Sequence, residues 1–149
     1  MKPMARAKRL IVYADGAIRR QATGIGVVVR DEGGAILGWH SKRLSEAMTC
    51  NEAEYAALLF AIEVIQGYRT REVQFRLDSQ IVVNQVRGIF NVRHPALRRC
   101  CQQVRRLAAR LGKNVTFTHI PRRKNRLADA LANEAVEGDA IEKGDRERR

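Results

Sequence analysis

The stretch RLIVYAD, Arg9 to Asp15, limits the possible folds more than any other part of the chain. Its apolar residues follow one another without polar alternation, so a strand built from them has no solvent face and needs cover on both sides of its sheet. It reads as a central strand that ends in a carboxylate. The rest of the chain has to supply neighbouring strands and two layers of helix.

GIGVVVRDEGGAILGWHSKRL reads as two further strands, Gly26 to Arg30 and Ala35 to Leu44, joined in a hairpin through Gly33 and Gly34. In MTCNEAEYAALLFAIEVI, apolar residues recur at helical spacing at Leu58, Ala61, Ile62 and Ile65. Thr49 and Glu52 have capping-box spacing, which predicts a helix from near Thr49 to Asn51 to about Gly67. REVQFRLDS alternates Val73, Phe75 and Leu77 with Gln74, Arg76 and Asp78, the pattern of a strand, and DSQIVVNQVRG turns into a short helix. HPALRRCCQQVRRLAARLG places Leu97, Cys101, Val104, Ala108 and Leu111 on one stripe and Arg99, Arg106 and Arg110 on another, an amphipathic helix with a basic side. NVTFTHI is a fifth strand, PRRKN a loop, and NRLADALANEAVEG a last helix capped by Asn125. The order β-β-β-α-β-α-α-β-α implies an α/β fold with one mixed sheet and helices on both faces. At 149 residues the chain suits one domain. It divides into a basic arm over 1–8, the folded domain over 9–138 and a charged, disordered tail over 139–149.

Lys and Arg number 28 against 16 Asp and Glu, a formal charge of +12 that favours a polyanionic partner. No apolar run reaches the roughly 18 residues that would cross a bilayer. The basic and then apolar start stops at Asp15 without a small-residue cleavage site, so neither secretion nor a membrane role is expected. Cys50, Cys100 and Cys101 are odd in number and lack metal-ligand spacing, as in a reduced, cytoplasmic protein.

Acidic residues occupy unusual places. Asp15 and Asp78 close the first and fourth strands, and the carboxyl ends of neighbouring strands border the ligand crevice of an α/β sheet. Glu54 lies four residues before Leu58 on the face of its helix that should be buried, and Asp129 is in the first turns of the last helix. Taken singly, an Asp after a strand is a common turn residue and a Glu early in a helix serves the macrodipole. Taken together, clustered carboxylates would repel one another and raise their own pKa values unless a cation sat among them. Their hard oxygens suit Mg²⁺ or Mn²⁺, and no Cys/His zinc set is offered.

With these residues, the motifs YADG, NEAEYAAL, LDSQ and NRLADALAN resemble the type 1 ribonuclease H family from about Arg9 to Glu137, in matching order. The resemblance implies a sheet of strand order 3-2-1-4-5 with strand 2 antiparallel. It also implies a metal site of Asp15, Glu54, Asp78 and Asp129, with Asp15 bridging two ions and Asp129 the most mobile ligand. The activity implied is hydrolysis of the RNA strand of an RNA–DNA hybrid, leaving 5′-phosphate and 3′-hydroxyl ends, by ions about 3.5–4 Å apart. By the same resemblance, Gly16, Thr49, Asn51 and Gln80 line the minor groove, and the protein works as a monomer without a protein partner.

This chain departs from the family pattern in several places. Cys50 stands where an Asn is usual, which alters the pocket for a DNA-strand phosphate. The loop GAIRRQATG brings Arg19 and Arg20 to a place where small residues are common, as possible phosphate contacts. HIPRRKN is a compact form of a loop that in many relatives is long and carries a histidine. Here His119 falls on the strand before it, and Arg122 stands where compact-loop relatives have an arginine that replaces that histidine. No basic insertion lies between Val86 and His94, so Arg99, Arg106, Arg110 and the N-terminal arm are left to grip phosphate. Among rival readings, an inactive nucleic-acid-binding domain is opposed by the complete acidic set. Strand transferases end their set with Glu on the last helix, and 3′→5′ exonucleases begin theirs with Asp-x-Glu, which YADG lacks.

Overall fold

The structure, a computed structural model, describes residues 7–148, with side chains as far as Glu137. Five strands, β1 (Arg9–Ile18), β2 (Thr23–Asp31), β3 (Ile36–Leu44), β4 (Glu72–Leu77) and β5 (Asn114–His119), form one sheet in the order β3-β2-β1-β4-β5. β1 pairs antiparallel with β2 and β2 with β3, while β1, β4 and β5 run parallel. Four helices follow, α1 (Cys50–Ile65), α2 (Gln80–Val86), α3 (Pro95–Arg110) and α4 (Arg126–Arg148), with a single 3-10 turn at Arg122–Lys124. The element order and sheet order are those expected. Of the basic arm, residues 1–6 lie outside the described residues, as do the side chains of the expected tail, whose backbone falls largely within α4.

β1 is buried on both faces, as its apolar run requires. Leu10, Val12 and Ala14 join Val73, Phe75 and Leu77 of β4 against Leu58, Ala61, Ile62 and Ile65 of α1, and the Leu97–Cys101–Val104–Ala108 stripe of α3 closes this core. Each leucine or isoleucine so covered contributes about 1.5–3 kcal/mol. On the opposite face, α4 buries Ala128, Ala132 and Val136 over β2 and β1. That approach depends on Gly26, where an added Cβ would stand 2.2 Å from the Ala128 carbonyl oxygen.

Two local expectations change. β1 and β2 run further than the sequence suggests, into a tight turn closed by the Arg19 amide on the Ala22 carbonyl at 2.9 Å, so most of GAIRRQATG is strand. Asp15 therefore does not end β1. Instead the parallel ladder to β4 stops at Tyr13 and Arg76 while the antiparallel ladder to β2 continues through Asp15 and Gly26, leaving Asp15 just past the end of β4. The second change is at Asn125, which precedes α4 and accepts the Asp129 amide on its backbone carbonyl but does not cap with its side chain. The Thr49 capping box is present as expected: its hydroxyl accepts the Glu52 amide at 3.2 Å and Glu52 accepts the Thr49 amide at 3.0 Å.

Candidate metal centre and active site

At the carboxyl end of β4, ligand oxygens of Asp15, Glu54 and Asp78 lie within 4.8 Å of one another. Asp15 comes from β1, Asp78 from the residue after β4, and Glu54 from the first turns of α1, directed inward by the capped helix start. Asp15 is 5% exposed and Glu54 8%. The Gly16 amide donates to both, at 3.0 Å to Asp15 Oδ1 and 3.2 Å to Glu54 Oε1. Close packing fixes this arrangement, because a Cβ on Gly16 would lie 2.8 Å from the Ala53 carbonyl oxygen. Glu54 Oε2 is buried with no hydrogen-bond partner among the described residues, a costly state for a carboxylate oxygen unless a cation meets it.

The electrostatics follow from burial and crowding. Loss of solvent, then the Glu54 carboxylate, with Asp78 and Asp129 adding to it, pushes Asp15 up to about 10. Burial also raises Glu54, to about 7, against the opposing contacts from Asp15, the Gly16 amide and Arg122. Without a cation the pair therefore holds a proton at neutral pH, carried on Asp15 and shared with Glu54. The donor set, all carboxylate oxygen with an unpartnered atom aimed inward, fits a hard divalent metal.

Asp129, in the first turn of α4, adjoins Asp15 and is half-buried, but it stands outside the tight trio, and Asn133 Nδ2 donates to its Oδ1 at 3.2 Å. Asp78 receives a group that sequence reasoning missed. Asn125, 1% exposed, donates from Nδ2 to Asp78 Oδ2 at 2.9 Å and to the Ala14 carbonyl at 3.0 Å, which couples the two strand ends. Its position before a helix made it read as a cap, and no local pattern separates the two roles.

The remaining expected contacts are dispersed. Gly16 directs its N–H into the carboxylates, the Thr49 hydroxyl accepts the Glu52 amide, Asn51 is half-buried on the first turn of α1, and Gln80 is exposed at the start of α2. Arg122 is exposed, and its charge bears on Glu54. Arg19 is engaged within the molecule, with Ile18, with Asn133 Oδ1 at 2.7 Å and with Glu137, so it braces α4 where phosphate contact was expected. Arg20, Arg99, Arg106 and Arg110 are exposed and form no ion pair among the described residues. His119 is exposed at the end of β5, opposite Leu77 and apart from the trio.

A reverse transcriptase-like family profile matches residues 13–135. The crystal structure of RNase H1 from the halophilic archaeon Halobacterium salinarum superposes with a TM-score of 0.82 at 34% identity, covering 87% of this chain and 98% of that one. The chain belongs to the ribonuclease H family. Another ribonuclease H structure, LC11-RNase H1 in complex with RNA/DNA hybrid, matches at 36% identity and a TM-score of 0.81 over 88% of this chain and 99% of that one. Halobacterium Ribonuclease HI is 35% identical over 134 residues, 89% of this chain. The chain spans 66% of that curated relative's length and 36% of the bifunctional protein Rv2228c of Mycobacterium tuberculosis. Among the described residues, no helix is long and apolar enough to cross a membrane.

Proposed function

We propose that this ribonuclease H domain hydrolyses the RNA strand of RNA–DNA hybrids as a metal-dependent endonuclease, leaving 5′-phosphate and 3′-hydroxyl ends. The observation that carries the reading is the Asp15–Glu54–Asp78 trio, its first two members buried and Asp78 half-buried, in a chain whose relative LC11-RNase H1 was crystallised with an RNA/DNA hybrid. Asp15, Glu54 and Asp78 hold Mg²⁺ or Mn²⁺, and Asp129 completes the set from its half-buried place beside Asp15. Two such ions, held by these residues, would supply activation of a water for in-line attack and stabilisation of the departing 3′ oxygen. The chain's own residues orient these ligands: the Gly16 amide fixes Asp15 and Glu54, and Asn125 fixes Asp78. In this reading Thr49 and Asn51 at the start of α1, Gln80 at the start of α2 and Arg122 in the turn before α4 contact the hybrid. Arg99, Arg106 and Arg110, without an ion pair among the described residues, present a basic helix face to phosphate. The free state of all three cysteines supports a cytoplasmic, reducing setting, and the protein acts as a monomer.

The test is cleavage of labelled RNA–DNA hybrid beside double-stranded RNA and double-stranded DNA of matched sequence, with Mg²⁺, with Mn²⁺ and with chelator. Metal-dependent cutting within the RNA of the hybrid is expected. Hybrid binding without cutting in either metal would replace this reading with that of a nucleic-acid-binding domain.

A further inference from the structure

α4 covers β2, β1 and β3, and beside its first turn a cavity of about 400 Å³ opens on the same side of the sheet. Tyr13, Arg30, Arg123, Lys124 and Arg126 border it, together with the buried Asn125. The Tyr13 ring carries a guanidinium from each neighbouring strand, Arg30 from β2 at 5.8 Å and Arg76 from β4 at 5.5 Å from the ring centroid. Both guanidiniums are held by neutral acceptors: Arg30 by the Gly34 carbonyl at 2.8 Å, Arg76 by Tyr13 Oη at 2.8 Å and Gln74 Oε1 at 2.6 Å. A guanidinium has five N–H donors, so both keep donors to spare. No carboxylate among the described residues pairs with Arg30, Arg76, Arg123, Lys124 or Arg126.

The start of α4 adds a second, separate feature. Asn125 is the residue that should cap it, yet that side chain is turned away to Asp78 and Ala14. No side-chain acceptor among the described residues meets the amides of Arg126, Leu127 or Ala128, and these residues line the cavity. Uncapped amides and a ring of uncompensated cations are the complement of a tetrahedral oxyanion.

We propose that this cavity is a second anion-binding pocket, separate from the carboxylate trio, and that it holds a phosphate of a nucleic-acid strand; the choice of a polymeric phosphate rests on the function proposed above. A strand gripped there meets Asn125, whose Nδ2 holds Asp78, so the pocket anchors nucleic acid beside the proposed cleavage centre. It is also distinct from the α1 start at Thr49 and Asn51, which faces the other layer of the sheet.

The experiment measures hybrid binding at several salt concentrations in the Asp15→Asn background, with chelator present. Two pocket variants that each remove two charges are compared, Arg123→Gln/Lys124→Gln in the exposed loop and Arg30→Gln/Arg126→Gln on the strand and helix start. The charge-matched control Arg69→Gln/Arg71→Gln alters exposed residues at the opposite end of β4. Each pocket variant should bind several-fold more weakly, with the slope of log affinity against log salt flattened by about 0.7–0.9 for each phosphate that is no longer neutralised. The exposed-loop variant keeps the test valid if the strand variant folds poorly. In parallel, inorganic phosphate titrated into the wild-type protein should shift the Arg30 side-chain N–H resonances. Pocket variants with the slope of the control overturn the proposal. Phosphate-induced shifts with unchanged hybrid binding assign a free-phosphate site and overturn the nucleic-acid strand. Failure of the wild-type protein to cleave hybrid counts against the function alone, because the slopes still report the pocket.

Discussion

Replacing Asp15 with Asn should make the metal-free protein more stable at neutral pH and remove much of its dependence on pH. The folded state holds Asp15 protonated up to about 10, whereas the same group in the unfolded chain has its ordinary value of 3.8. The folded pKa is the higher, so the native state binds the extra proton between those values, and stability is greatest at low pH and falls as pH rises. One such proton corresponds to about 1.4 kcal/mol per pH unit, or about 2.7 kcal/mol between pH 5 and pH 7 as an upper bound. For a chain of this size that is a fall of about 5–10 °C in melting temperature. Glu54, raised to about 7, adds to the fall in the same direction over the lower part of the range. The amide introduced by Asp15→Asn carries no charge, keeps an N–H to offer Glu54, and takes away one proton's worth of slope. The assay is thermal unfolding in chelator at pH 5, 6, 7 and 8, repeated with Mg²⁺, which should raise the wild-type melting temperature and leave Asp15→Asn nearly unmoved. A wild-type melting temperature that stays level from pH 5 to pH 7 without metal, or a variant with the wild-type slope, would refute the crowded-carboxylate account.

Asn125→Ala should lower stability by about 1–3 kcal/mol through loss of a buried donor between Ala14 and Asp78, and should slow hybrid cleavage with little change in KM; denaturant melts and steady-state kinetics report both. Gly26→Ala drives a methyl group into the Ala128 carbonyl and should cost about 1–3 kcal/mol or more while displacing Asp129, seen as a lower melting temperature and weaker metal binding by calorimetry. Exchanging Arg99, Arg106 and Arg110 together for Gln should weaken hybrid binding and flatten its salt slope by about 0.7–0.9 per phosphate released, with turnover at saturating substrate retained; an unchanged slope would leave that helix face as ordinary surface.

Much of this fold is legible in the sequence because its signals are local and periodic. The unbroken apolar run of β1, the alternation in β4 and the arginine and apolar stripes of α3 each state a period and a face, and the capping box places the start of α1 within the three residues Thr49 to Asn51. Glu54 is legible for the same reason, as a charge on an apolar stripe. Features that depend on residues distant in the chain are less so. The length of β1 is set by β2, which continues the ladder after β4 has ended, and this moves Asp15 from a strand end to a strand interior. Asn125 forgoes its local role because an acceptor from the end of β4 and another from β1 meet it there. Arg105, unremarkable in the α3 pattern, closes the end of α2 through the Gln85 and Val86 carbonyls at 2.8 and 3.1 Å. Arg19 likewise finds its partners more than a hundred residues away, on α4.

The parallel pairing of β1 with β4 bears on how the protein emerges from a ribosome. The meander β1-β2-β3 and α1 are contiguous, so Asp15 and Glu54 can meet early, whereas Asp78 joins only when β4 has crossed back to the first strand, a slower and less local event. Asp78 is then held only once Asn125 and the start of α4 have been made. The proposed hydrolytic centre is thus completed by a late segment of the domain. Surrounded by the RNA of the machine that makes it, the growing domain has most of its own residues made before the acidic trio is finished.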